Sequence, residues 1–210
     1  MSRHVIAFDF ESFGGIPLVH GFCQLGARLV REEDDAILAT FSEYANQEGY
    51  VQEERCLKEF WLPLPNKRYE QVVMKCAMSP NNPFQVCELF WKWVDDNAPK
   101  DSTVLITDNS AYDTALLKTF TKSRDILYVF GKYRGIIDVT RWYQGVAHLP
   151  LNVDTLKLKG TKELALNALG QKELPKLDVQ HDHDAVNDAL TIALYWCWFQ
   201  RLVPSVKVLE

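Results

Sequence analysis

The chain has 210 residues, 47% of them hydrophobic and 24% charged, which predicts a single domain over residues 1–210 with a sizeable buried core. A formal net charge of −5 argues against a protein that grips nucleic acid through one broad basic face. Five scattered cysteines with no CxxC pair argue against a disulfide framework and a zinc ribbon, and the opening "MSRHVIAFDF" is too short in its apolar run and too acidic for a signal peptide. No stretch approaches membrane-spanning length, so the expected location is cytoplasmic or nucleocytoplasmic, with no membrane attachment.

Three apolar, partly alternating runs open the chain at about residues 4–10, 20–31 and 36–44, separated by the turn-rich "ESFGGIP" and "REEDD". They predict an antiparallel three-stranded meander. The first run carries Asp9 and Glu11. Strand side chains alternate, so these carboxylates point to one face and repel each other, and something must hold them together.

A helical, loop-rich insertion is expected at about 48–80, where "LKEFWLPLPNKRYEQVVMKC" is broken by Pro63 and Pro65. "NNPFQVCELFWKWVDD" predicts a helix with Asn82 as N-cap, Pro83 in the first turn and Gln85 placed to close a capping box. Its Phe84, Cys87, Phe90, Trp91 and Val94 make a core-facing stripe. "STVLIT" (102–107) predicts a short buried strand that runs into "DNSAYDTALLKTF", a turn followed by an amphipathic helix with Asp113 in its first turn. "ILYVF" predicts a further strand; "IIDVTRWYQGV" and "TKELALNALG" predict two helices, the second ended by Gly170. The last helix runs from Asp184 as N-cap through "AVNDALTIALYWCWFQRL" to a stop near Pro204. Asp188 lies in its first turn and His183 just before its cap.

Asp9, Glu11, Asp113, Asp188 and His183 each sit at or beside the end of a regular element. In this pattern the chain resembles the DEDDh group of 3'-5' exonucleases, whose fold is similar to ribonuclease H. Asp9-Phe10-Glu11 matches the group's Asp-x-Glu motif; Asn109, Tyr112 and Asp113 match the second motif; His183 and Asp188 match the third, His-x-x-x-x-Asp, in an "AVNDA" context. The resemblance covers nearly the whole chain, since "ELALNALG" looks like the helix before the third motif. "EFWLPLPNKRYEQVV" and the aromatic-rich helix after it look most like the small mycobacterial-type 3'-5' exoribonuclease branch.

The resemblance implies an α/β fold: a ribonuclease H-like mixed sheet, an antiparallel three-stranded meander plus parallel strands, flanked by helices. It implies two Mg2+ or Mn2+ ions about 4 Å apart, held by the four carboxylates for in-line phosphodiester hydrolysis. Asp9 would bridge both ions, Glu11 and Asp188 would complete one site and Asp113 would act at the other, with His183 as general base. Ser12, Phe13, Asn109 and Tyr112 would bind substrate, Phe13 wedging against the terminal base. The implied substrate is the 3' end of single-stranded nucleic acid, RNA ahead of DNA, degraded to nucleoside 5'-monophosphates by a monomer or homodimer. The alternatives are a proofreading or repair-type DNA exonuclease and a non-catalytic nucleic-acid-binding module of the same fold.

Taken singly, the pieces have plainer readings. Asp113 and Asp188 are acids favoured at helix N-termini, Asn109 is a cap, and Tyr112 packs in the core. His181 and His183 form an HxH pair, but without a third histidine nearby zinc is disfavoured, and only His183 has the third motif's separation from Asp188. Asp138 and Arg141 make either an accessory substrate contact or an i,i+3 ion pair. Lys132 and Arg134 in "GKYRG" either meet the phosphate backbone or are solvated.

Overall fold

Strands β1 (His4–Glu11), β2 (Gln24–Arg31) and β3 (Ala36–Tyr44) form the antiparallel meander expected from their alternation, and β4 (Thr103–Thr107) adds parallel to β1. The computed structural model describes residues 2–122, 128–129, 132–133, 136–146, 165, 167, 173, 175–177, 179 and 182–202. Strands β5 (Tyr128–Val129) and β6 (Lys132–Tyr133) pair antiparallel with each other, while β7 (Ile136–Asp138) adds parallel to β4. The main sheet is therefore mixed, in the order β3-β2-β1-β4-β7.

A central strand with a parallel neighbour is covered on both faces, and β1 accordingly buries Val5, Ile6, Ala7 and Phe8 completely. Its even-numbered residues Ile6, Phe8 and Phe10 join one core with Leu25, Phe90 and Phe120. Val5 and Ala7 join the other with Ala189, Trp196 and Phe199. Asp9 and Glu11 continue the odd-numbered face, the one covered by the final helix.

Helix α1 (Arg68–Met78) follows a broken stretch of short turns over 54–67, as Pro63 and Pro65 require. Its Val72 and Cys76 form a third core with Phe13, Cys23 and Trp61, which fastens this segment to the sheet. Helix α2 (Pro83–Asn97) begins with the expected capping box: Gln85 N–H donates to Asn82 Oδ1 at 3.1 Å and Asn82 N–H to Gln85 Oε1 at 2.9 Å. Its buried stripe adds Val86 to the expected Cys87, Phe90, Trp91 and Val94, while Phe84 is half-buried against the Phe120 ring. Helices α3 (Ser110–Phe120), α4 (Val139–Val146) and α5 (Ala185–Leu202) complete the described elements. Asp184 caps α5 as expected, accepting from Val186 N–H at 3.1 Å.

Two elements differ from the sequence expectation. The second strand begins at Gln24, because Pro17–His20 forms a helical turn closed by Gly21 N–H on the Pro17 carbonyl, and Gly21 takes a left-handed φ of 61°. Ile136–Asp138 is a strand, not the start of a helix; α4 begins one residue later because Asp138 accepts from Arg141 N–H at 2.9 Å. Outside the described residues lie the stop at Gly170 and most of the helix expected over 161–170, the stop at Pro204, His181, Arg134 and the Lys132 side chain. All five cysteines are free, and no described helix is long and apolar enough to cross a membrane.

Candidate active site

In an open α/β sheet, side chains beyond the carboxyl ends of parallel strands converge on one crevice. Here β1 ends in Asp9 and Glu11, and β4 runs through Thr107 into Asp108 and the start of α3, which presents Asp113. The first turn of α5 lies over the same end of β1. In register, Asp9 pairs with Gly26 and Glu11 with Gln24 of β2. A Cβ on Gly26 would stand 2.3 Å from the Ala185 carbonyl carbon, so only a glycine lets α5 approach closely enough to deliver Asp188.

The side chains fall into two groups. Donor atoms of Glu11, His183 and Asp188 lie within 4.8 Å of one another, and so do those of Asp9, Asp108 and Asp113. His183 Nδ1 stands 3.8 Å from Glu11 Oε1. Glu11, Asp113 and Asp188 expose 7%, 2% and 5% of their surface, so water screens them poorly, whereas Asp9 is half-buried. Thr107 Oγ1 donates to Asp113 Oδ2 at 2.5 Å and fixes that carboxylate.

Burial pushes the Asp9 carboxyl well above the usual carboxylate range, and the charges of Asp113, Glu11, Asp108 and Asp188 push it further. Asp9 thus feels both groups, as a bridging position would. Glu11 is raised by burial and by Asp188 against the opposing pull of the Arg68 guanidinium. Asp113 is raised by burial and Asp108, against the Thr107 hydroxyl and backbone N–H groups. Converging hard oxygen donors that resist ionisation for want of positive charge are the donor set a divalent cation fits. The structure thus brings together all five residues expected from the sequence. It adds Asp108, an acid directly after the buried strand β4.

His183 takes a left-handed φ of 56° and lies edge-to-face with Phe60, ring centroids 4.5 Å apart. Ser12 and Tyr112 share a hydrogen bond between their hydroxyls, and the Gly14 carbonyl lies 2.8 Å from Ser12 Oγ and 3.0 Å from the Tyr112 hydroxyl, accepting from whichever of the two does not donate to the other. With Arg55, Glu59 and Phe60 they line a cleft of about 450 Å3. Phe13 does not face this cleft. It is fully buried against Trp61 and Tyr69, at 5.2 and 5.8 Å between ring centroids, where its apolar surface is removed from water. Asn109 is exposed beside the acids, and its backbone carbonyl, not its side chain, receives the first N–H groups of α3. Asp138 accepts from Ser110 Oγ at 2.6 Å as well as from Arg141 N–H, which makes it a joint between β7, α3 and α4.

The fold is ribonuclease H-like and similar to that of solved nuclease structures. The nuclease domain of 3'hExo, a DEDDh family member bound to rAMP, matches with a TM-score of 0.59 at 17% identity, over 95% of this chain and 92% of that one. Cell-death related nuclease 4 matches at 0.61 and 15% identity, over 95% of this chain and 64% of that one. E. coli exonuclease I in complex with a dT13 oligonucleotide matches at 0.60 and 14%, over 97% of this chain and 41% of that one. No family model matches the sequence, and no curated protein does.

Proposed function

We propose that the chain is a divalent-cation-dependent 3'-5' exonuclease that releases nucleoside 5'-monophosphates from single-stranded nucleic acid, RNA ahead of DNA. The observation that carries this reading is the convergence of Asp9, Glu11, Asp113, Asp188 and His183 at the carboxyl ends of β1 and β4. Glu11 and Asp188 would hold one Mg2+ or Mn2+ ion and Asp113 the other, with Asp9 between them. Such ions supply charge neutralisation at the scissile phosphate and make water acidic enough to attack at neutral pH.

The chain's own residues do the rest. His183, beside Glu11, takes the proton of the attacking water. Thr107 keeps the Asp113 carboxylate aimed at the crevice. The Ser12 and Tyr112 hydroxyls and the Gly14 carbonyl offer polar partners to a terminal ribose, and a 2'-hydroxyl that meets them separates RNA from DNA. Asn109 contacts the strand at the rim. Fold neighbours bound to rAMP and to a histone mRNA stem-loop support the RNA preference, and exonuclease I bound to dA16 supports the DNA alternative. The finer affiliation to the mycobacterial-type exoribonucleases rests on the "EFWLPLPNKRYEQVV" segment.

The test is degradation of 3'-labelled and 5'-labelled single-stranded RNA and DNA with Mg2+, Mn2+ or EDTA. Stepwise release of 5'-mononucleotides from the RNA 3' end, abolished by EDTA, is expected. Preference for DNA would select the DNA alternative. No cleavage with either ion would overturn the proposal.

A further inference from the structure

A histidine in the left-handed region stays there only where its surroundings hold it. His183 is held from the segment between β3 and α2, far away in sequence. Arg68 donates to the His183 carbonyl twice, from Nη2 at 3.0 Å and Nε at 3.3 Å, and its Nη2 also reaches Asp184 Oδ2 at 3.0 Å and Gln24 Oε1 at 3.3 Å. Gln24 in turn donates to Asp184 Oδ1 at 3.1 Å and accepts from Ala185 N–H at 3.3 Å. One guanidinium, one amide and one capping carboxylate therefore tie α1, β2 and the loop before α5 into a single network.

The Arg68 and Asp184 side chains expose only 13% and 21% of their surface, so this pair is protected from the screening that weakens a surface ion pair. From the same segment, the Phe60 ring meets the imidazole at 73°, the edge-to-face arrangement aromatic rings prefer. The segment is itself anchored: Trp61 is fully buried and its indole N–H donates to the Ser12 carbonyl at 2.8 Å.

We propose that Arg68 and Phe60 are positioning residues for His183, holding the imidazole beside Glu11 and Asp188, so that the segment over 54–78 is a working part of the active site. The kinetic consequence rests on the exonuclease reading; the positioning itself does not. A lysine at position 68 keeps a charge for Asp184 but lacks the fork that grips carbonyl and carboxylate together, so Arg68→Lys falls between wild type and Arg68→Ala.

Two readouts test this. In hydrolysis of a labelled oligonucleotide with Mn2+, Arg68→Ala lowers kcat roughly 10- to 100-fold with KM and calorimetric Mn2+ affinity within about twofold of wild type, the signature of a displaced group and not of lost binding. Lys58→Ala, exposed on the same segment, leaves kcat unchanged. In 13C-histidine NMR of the whole chain, with the His183 signal assigned through His183→Gln, Arg68→Ala and Phe60→Leu each shift the His183 ring resonance and leave the other four histidines in place.

If Arg68→Ala does not fold, Arg68→Lys carries both readouts. An unmoved His183 resonance in the folded variants overturns the proposal. So does a fall in Mn2+ affinity matching the fall in kcat, which would mean that Arg68 acts on the charge of Glu11 instead. If wild type cleaves no nucleic acid, the exonuclease reading fails while the resonance still decides the positioning.

Discussion

Asp9, Glu11 and Asp113 share one physical difficulty: each must carry charge in a place that disfavours charge. A carboxyl whose pKa is raised in the folded state binds its proton more tightly there than in the unfolded chain. Its contribution to stability is therefore present below the ordinary carboxylate range and is lost as pH rises through the raised value. Asp34, held at about 2 mainly by its hydrogen bond to Arg31, has the opposite sign and stays ionised throughout that window, so it does not alter the slope. The unfolding midpoint in EDTA should thus fall as pH rises from about 5 to 8. Asp113→Asn should flatten this fall and raise the midpoint at neutral pH while abolishing turnover; a midpoint in EDTA below that of wild type at neutral pH would contradict this account. His183 poses the complementary case, since in the proposed reaction it would handle a proton and is not needed for charge balance. His183→Ala should slow single-turnover hydrolysis by roughly 10²- to 10⁴-fold with Mn2+ affinity retained by calorimetry, and His181→Ala should stay near wild type.

Between elements, the decisive contact is α5 on β2. The Gly26 Cβ of an alanine would meet the Ala185 carbonyl carbon and Val186 nitrogen at 2.3 Å, backbone atoms that cannot turn aside. Gly26→Ala should therefore lift the N-terminus of α5, cost about 1–3 kcal/mol in urea unfolding, and weaken Mn2+ binding because Asp188 moves with the helix. Asn82→Ala is the informative contrast. It removes the capping box of α2, on the other face of the sheet, and should cost about 0.5–2 kcal/mol with turnover intact. The difference between these sites also explains what the sequence makes legible. The meander, the Asn82 cap and the strand-end and helix-start acids are local patterns that any reader of periodicity and capping meets directly. The residues 20–23 and 136–138 are short mixed stretches whose state is decided by Gly21 and by pairing with β4, so local pattern cannot sort them. Arg68 meets His183 across 115 positions, and Phe13 is claimed by Trp61 from 48 residues away, contacts that no spacing rule encodes.

At the scale of the whole molecule, an acidic chain that acts on nucleic acid, as proposed, needs a source of positive charge. On the proposed function two divalent cations would carry four charges and take the formal −5 to −1, with the gain concentrated at the carboxyl end of the sheet. If the cations bind where the fold assembles the acids, as proposed, they should stabilise the native state by mass action, about 2.7 kcal/mol for one site at a hundredfold excess over its Kd. The thermal midpoint should accordingly rise on adding Mn2+ or Mg2+ to the EDTA-treated protein. The rise should be largely lost in Asp9→Asn, since Asp9 feels the acids of both groups. The same cations should control substrate capture. With His183→Ala used to suppress cleavage, a fluorescent single-stranded oligonucleotide should bind in Mn2+ and bind far more weakly in EDTA. Its affinity should depend only shallowly on monovalent salt, because on this reading the cations, rather than lysine or arginine side chains, meet the phosphates. Equal binding with and without the cation, or a steep salt dependence, would show that a basic surface elsewhere on the chain captures the strand, and would remove the acids from that role.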